Sequence, residues 1–121
     1  MASQHSPSAQ DLSSDLLAQV TTALEDFKAQ DIHTIDVRGM SSLSDYIVIA
    51  SGTSTRHLHA MAENLVSKLK QAGYQPLGVE GRKDSDWVLV DSDDVIVHLM
   101  LPQARDFYNL EKLWETPRVQ G

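Results

Sequence analysis

The run Tyr46-Ile47-Val48-Ile49-Ala50, followed at once by Ser51-Gly52 and the cap-rich Thr53-Ser54-Thr55, constrains this chain more than any other stretch. A short apolar block rich in β-branched residues suits a strand covered on both faces, which places it centrally in a sheet. Beyond Gly52, the residues Leu58, Met61, Ala62, Leu65, Val66 and Leu69 recur at helical spacing, and Gly73 supplies a stop. The pattern predicts a buried strand over 46–50, a turn, and an amphipathic helix over about 55–72.

The other elements arrange around that unit. Leu16, Val20, Leu24 and Phe27, widened by Leu17 and Ala23, predict a helix over roughly 14–29, capped near Ser13 or Ser14. Ile32 to Val37 reads as a strand with Ile35 and Val37 on one face. Pro76 to Glu80 reads as an edge strand, where proline is tolerated. Trp87–Val90 and Val95–Leu101 form two strands around the turn Asp91-Ser92-Asp93-Asp94. Pro102 ends the last strand. Phe107, Leu110, Leu113 and Trp114 then predict one final amphipathic helix closed by Pro117, with Phe107 and Trp114 in the core. The order predicts an α+β fold: a mixed sheet of about five strands, antiparallel toward its edges, with helices packed on it. Residues 1–13 read as a disordered tail, 14–116 as one domain and 117–121 as a C-terminal tail.

Composition narrows the function. A chain of 121 residues without cysteine holds one ordinary domain and has no thiolate metal site, disulfide or thiol nucleophile. A formal charge of −7 argues against specific direct nucleic-acid binding, which draws on clustered Lys and Arg. No apolar run approaches the ~20 residues of a membrane span, and Met1–Asp15 has neither the basic nor the apolar block of a secretory signal. The expectation is a soluble cytoplasmic protein.

Candidate chemistry is thin. The Ser51-Gly52-Thr53-Ser54 junction has the form of a phosphate cradle, and a strand, Gly-Ser turn and helix also open nucleotidyltransferase sites. That site needs paired carboxylates soon afterwards, whereas Arg56, His57, Leu58 and His59 follow here and no Asp-x-Asp occurs before Asp84. A single Gly before a capped helix is ordinarily only a turn. The acids of segment 80–94 match no calcium loop and read as a solvated rim, or as one facing a basic partner. His57 and His59, two apart on a helix, cannot chelate one ion. No catalytic residue, metal site or cofactor is expected. Trp87, Tyr108 and Arg105 are instead the types that anchor protein interfaces. Strand alternation puts Trp87, Leu89 and Asp91 on one face and Ile96, His98 and Met100 on another, the wetter side of each strand.

Three ordered blocks carry a resemblance. They are Ser44-Asp45-Tyr46-Ile47-Val48-Ile49-Ala50-Ser51-Gly52-Thr53-Ser54 with Arg56-His57; Glu80-Gly81, Asp86 to Asp91 and Asp94 to His98; and Arg105 with Phe107 to Trp114. Over about 16–116 the chain resembles the ribosomal silencing factor family (RsfS, Iojap-like). The resemblance implies a nucleotidyltransferase-like fold without the catalytic carboxylates. It also implies a protein that binds ribosomal protein uL14 on the large ribosomal subunit and blocks joining of the small subunit, repressing translation when nutrients are scarce. A role in large-subunit assembly is the neighbouring expectation, and a nucleotide-binding enzyme the competing one. Carried onto this sequence, the partner-binding residues are Trp87, Ser92, His98, Met100, Arg105 and Tyr108. Where the family's hairpin commonly has Gly, this chain has Asp93. A homodimer is left open.

Overall fold

Strand β2 (Tyr46–Ser51) is buried along its whole length, as its unbroken apolar run requires. The computed structural model describes residues 9–40 and 42–114. In chain order the elements are α1 (Ala9–Asp26), β1 (Gln30–Asp36), β2, α2 (Thr55–Gln71), β3 (Gly78–Glu80), β4 (Trp87–Asp91), β5 (Val95–Met100), α3 (Pro102–Tyr108) and α4 (Leu110–Leu113). The five strands form one open sheet in the order β1-β2-β5-β4-β3. Only β2 and β5 run parallel, with Tyr46 opposite Val95, and the other pairs are antiparallel. The predicted mixed α+β sheet with antiparallel edges is the architecture observed.

Two helices cover one face. Val48, Ala50, Val88, Val90, Val95, Val97 and Leu99 point toward Leu16, Val20 and Leu24 of α1 and Leu58, Leu65 and Leu69 of α2. The opposite face carries a smaller cluster of Val37, Ile47, Ile49, Met100 and Ala104, with Trp87, Ile96, Leu110 and Trp114 packed beside it. Because α3 and α4 are short, much of that second face stays open. This asymmetry positions the candidate site.

Three local expectations are corrected. Helix α1 begins at Ala9 rather than near Ser14, because the Ser13 hydroxyl donates to Asp45 and is fully buried there instead of serving as a cap. Of the expected tail, residues 1–8 lie outside the described residues, as do Pro117 and the 117–121 segment. The single final helix is two: Pro102 opens α3 as its first residue, and Asn109, with φ 50° and ψ 52°, breaks the chain into α4. Asparagine tolerates this left-handed conformation better than most residues. The kink turns Phe107 out of the core, leaving it 80% exposed, while Trp114 packs partly against the second-face cluster as expected.

The β4–β5 turn explains the departure at Asp93. Its φ is 73°, and its backbone N–H donates to the Asp91 carboxylate at 2.9 Å while Ser92 N–H donates to the Val95 carbonyl at 3.0 Å. The Asp91 carboxylate thus supports the left-handed residue that glycine would supply without strain. Asp93→Ala is expected to lower the urea unfolding free energy by about 1 kcal/mol, and Asp93→Gly to restore it.

Candidate interaction site

The hairpin register decides which side chains meet. Trp87 pairs with Met100 and Leu89 with His98, so Trp87 and His98 are diagonal neighbours on the open face of the sheet. The Trp87 indole N–H donates to His98 Nδ1 at 3.0 Å, with ring centroids 5.7 Å apart. Burial pushes the His98 pKa down to about 4, so the ring is neutral at pH 7. With Nδ1 accepting from the indole, its proton sits on Nε2. On the other side of Trp87 lies Tyr108, centroid to centroid 4.8 Å, and Phe107 stands edge-on to Tyr108 at 5.0 Å. Tyr108 is 49% exposed. The result is an aromatic shelf, anchored on one side and open on the other.

A loop and an ion pair hold the shelf. The Ser85 hydroxyl donates to the Trp87 carbonyl at 2.7 Å and accepts the Trp87 N–H at 3.1 Å, while Leu101 N–H donates to the Asp86 carbonyl. Gly81 lies so close beneath that a Cβ would sit 3.1 Å from the Trp87 carbonyl and from the Val88 Cα, and its φ is 141°. Only glycine satisfies both conditions. Arg105 of α3 makes a fork to Glu111 at 3.1 and 3.0 Å and reaches Ser51 Oγ of β2 at 2.9 Å. Glu111 also meets His33 Nδ1 of β1 at 2.7 Å. The Arg105 guanidinium holds the Glu111 carboxyl down at about 2, helped by His33. One guanidinium thus fastens α3 and α4 to the sheet.

The strand–turn–helix junction has a different use for its donors. Thr53 N–H donates to His57 Nδ1 at 2.9 Å, Ser54 Oγ caps the His57 N–H at 3.0 Å, and His57 Nε2 donates to the Phe27 carbonyl at 2.8 Å. A Cβ on Gly52 would meet Leu58 Cδ2 at 2.7 Å and Met61 Cε at 2.9 Å. The turn is packed against its own helix, and a histidine ring takes the Thr53 N–H that a phosphate would need. Among the described residues no three His, Asp or Glu side chains gather as a metal site, and no helix is long and apolar enough to cross a membrane.

The profile described as "Ribosomal silencing factor during starvation" matches residues 10–120 of this sequence. The chain belongs to the ribosomal silencing factor family. The Zymomonas mobilis protein named ribosomal silencing factor RsfS is 48% identical over 99 residues, spanning 82% of this chain and 74% of that one. The Mus musculus protein named mitochondrial assembly of ribosomal large subunit protein 1 is 43% identical over 98 residues, spanning 78% of this chain and 43% of its own length. A Chromobacterium violaceum crystal structure superposes with a TM-score of 0.81 at 39% identity, covering 89% of this chain and 92% of that one.

Within this family member, the six residues carried over by resemblance do not form one surface. Trp87, His98 and Tyr108 come together in the shelf. Met100 lies under it with no exposure, and Arg105 holds α3 with its side chain 12% exposed. Ser92 sits at the far end of the hairpin, 5% exposed, its hydroxyl buried without a hydrogen-bond partner among the described residues. Met100 and Ser92 therefore offer a partner almost no surface. Phe107 was missed, because its apolar spacing with Leu110 and Trp114 read as a core stripe. Glu111 was missed as well, although its place six residues after Arg105 is legible once the Asn109 kink is known.

Proposed function

We propose that this protein binds uL14 on the large ribosomal subunit through the shelf of Trp87, Tyr108 and Phe107, and keeps the small subunit from joining by occupying its place. In this reading His98 and Arg105 position the shelf, Met100 floors it and Ser92 shapes the hairpin beside it. The single observation that carries the proposal is the shelf itself: three aromatic rings in a row, Trp87 against Tyr108 and Tyr108 against Phe107, fixed from below and exposed above, on the sheet face that helices cover only in part. Amphipathic aromatic side chains held rigid before binding lose little entropy on docking. Supporting it are the names of the relatives. Steric exclusion asks for no catalytic group, and the action belongs in the cytoplasm of a bacterium short of nutrients.

The test is sedimentation of purified subunits with added protein. Coupled particles are expected to shift to free subunits, and particles that stay coupled in saturating excess overturn the proposal. Trp87→Ala, folded by circular dichroism, is expected to bind isolated uL14 roughly thirtyfold more weakly, on the order of 2 kcal/mol. The name of the mouse relative favours a second reading, a factor in large-subunit assembly using the same surface. Accumulation of immature large subunits in a deletion strain, with subunit joining unaffected by the protein in vitro, selects that reading. Calorimetry with magnesium and each nucleoside triphosphate is expected to show no binding, since the turn before α2 spends its donors internally.

A further inference from the structure

Charge on this acidic chain is unevenly spread. Segment 55–83 carries Arg56, Lys68, Lys70, Arg82 and Lys83 against Glu63 and Glu80, a net of +3, which leaves −10 on the rest of a chain whose total is −7. The fold gathers the positive part on one flank. Arg56, His59, Glu63 and Lys83 line an open recess of about 510 Å³. A second recess of about 500 Å³ shares His59 and Glu63 and continues across Val66 to Lys70. On α2 these positions follow one another at helical spacing, so Arg56 and Lys70 end a single stripe about 21 Å long. His59 Nε2 donates to the Arg82 carbonyl at 2.6 Å, which ties the loop after β3 to the helix beside Lys83.

These cations are also unspent. Arg56, Lys70 and Lys83 have no ion pair or side-chain hydrogen bond among the described residues. Arg82 has only Asp84, at 3.8 Å with both side chains largely in solvent. Elsewhere Arg38 is paired with Asp36 and Arg105 with Glu111. The flank runs along the side of α2 beside Val79 of the edge strand β3, and the loop over 81–86 leads from it to Trp87 at the shelf.

We propose that this flank contacts the phosphate backbone of ribosomal RNA beside the docking site, an inference that rests on the large-subunit reading above. A molecule carrying −10 elsewhere is repelled by an RNA surface in every orientation but the one that turns this stripe toward the phosphates. The contact reads no sequence; it steers the protein in and sets which way round it docks. Glu63, in the middle of the stripe, opposes it.

The test is affinity for purified large subunits at several potassium chloride concentrations. Neutralising three phosphate contacts with Arg56→Gln, Lys70→Gln and Lys83→Gln together is expected to reduce the slope of log affinity against log salt by roughly 2, at ~0.7–0.9 per contact. At low salt the triple variant is expected to bind at least tenfold more weakly, while Glu63→Gln binds more tightly. Trp87→Ala is expected to weaken binding at every salt concentration with the slope unchanged. A triple variant with the wild-type slope overturns the RNA contact while leaving the docking reading intact. A triple variant equally weakened toward isolated uL14 makes the flank a protein contact and also overturns it. Wild-type protein that does not bind large subunits at all removes both.

Discussion

Arg105→Ala is expected to cost about 3 kcal/mol of folding stability at pH 7, the largest loss from any single polar side chain described above. The guanidinium is 12% exposed and makes hydrogen bonds to both Glu111 oxygens and to Ser51. Truncating it leaves a carboxylate only 23% exposed, with the exposed His33 ring as its one remaining side-chain hydrogen-bond partner among the described residues. Breaking one side of a buried pair costs roughly 3–5 kcal/mol, and partial exposure of Glu111 puts the value at the low end. Arg105→Lys keeps the charge and loses the fork, so it should fall between. Urea unfolding at pH 7 is the measurement, and a change under about 1 kcal/mol would show that the fork does not fasten α3. The pair should also appear in acid. The folded Glu111 value of about 2 lies below its ordinary 4.5, so the unfolded chain takes up the proton first. The stabilisation is complete above about pH 4.5 and is lost as the pH falls toward 2. Glu111→Gln should flatten that part of the curve.

The second large effect belongs to His98. Its folded pKa of about 4 lies below the ordinary 6.5, so between those values the unfolded chain is protonated at this residue and the folded one is not. Stability is therefore unaffected by His98 above about pH 6.5, declines as the pH falls from there, and levels off below about 4. A gap of that size corresponds to a loss on the order of 3 kcal/mol. The difference between wild type and His98→Gln, followed by urea unfolding from pH 7.5 to 4, isolates it. Two parallel curves would mean that the ring titrates alike in both states. Protonation also removes the acceptor of the Trp87 indole, so tryptophan emission should shift red over the lower part of that range.

Much of the fold was legible because periodicity speaks directly about burial. The unbroken apolar run of β2 and the 3.6-residue stripe of α2 each had one reading, and the structure follows both. Alternation alone placed Trp87 and His98 on the wetter sides of their strands. What stayed hidden depended on long-range partners. Ser13 has the profile of a cap until Asp45, distant in sequence, is brought beside it. Phe107 fits a core stripe until Asn109 turns the chain, and a left-handed asparagine has no sequence signal of its own. Met100 carried the alternation of an exposed face, but α3 folds back over it. The Arg105–Glu111–His33 cluster draws on α3, α4 and β1, so no local pattern could announce it.

The parallel pairing of β2 with β5 has a consequence for biosynthesis. Tyr46 cannot find Val95 until nearly the whole sheet-forming sequence has left the exit tunnel, so the middle of the sheet closes last. Until then the emerging N-terminal half presents the bare, β-branched edge of Tyr46–Ser51 to its surroundings. That unpaired edge is a ready template for another chain, and the arrival of β5 is what covers it.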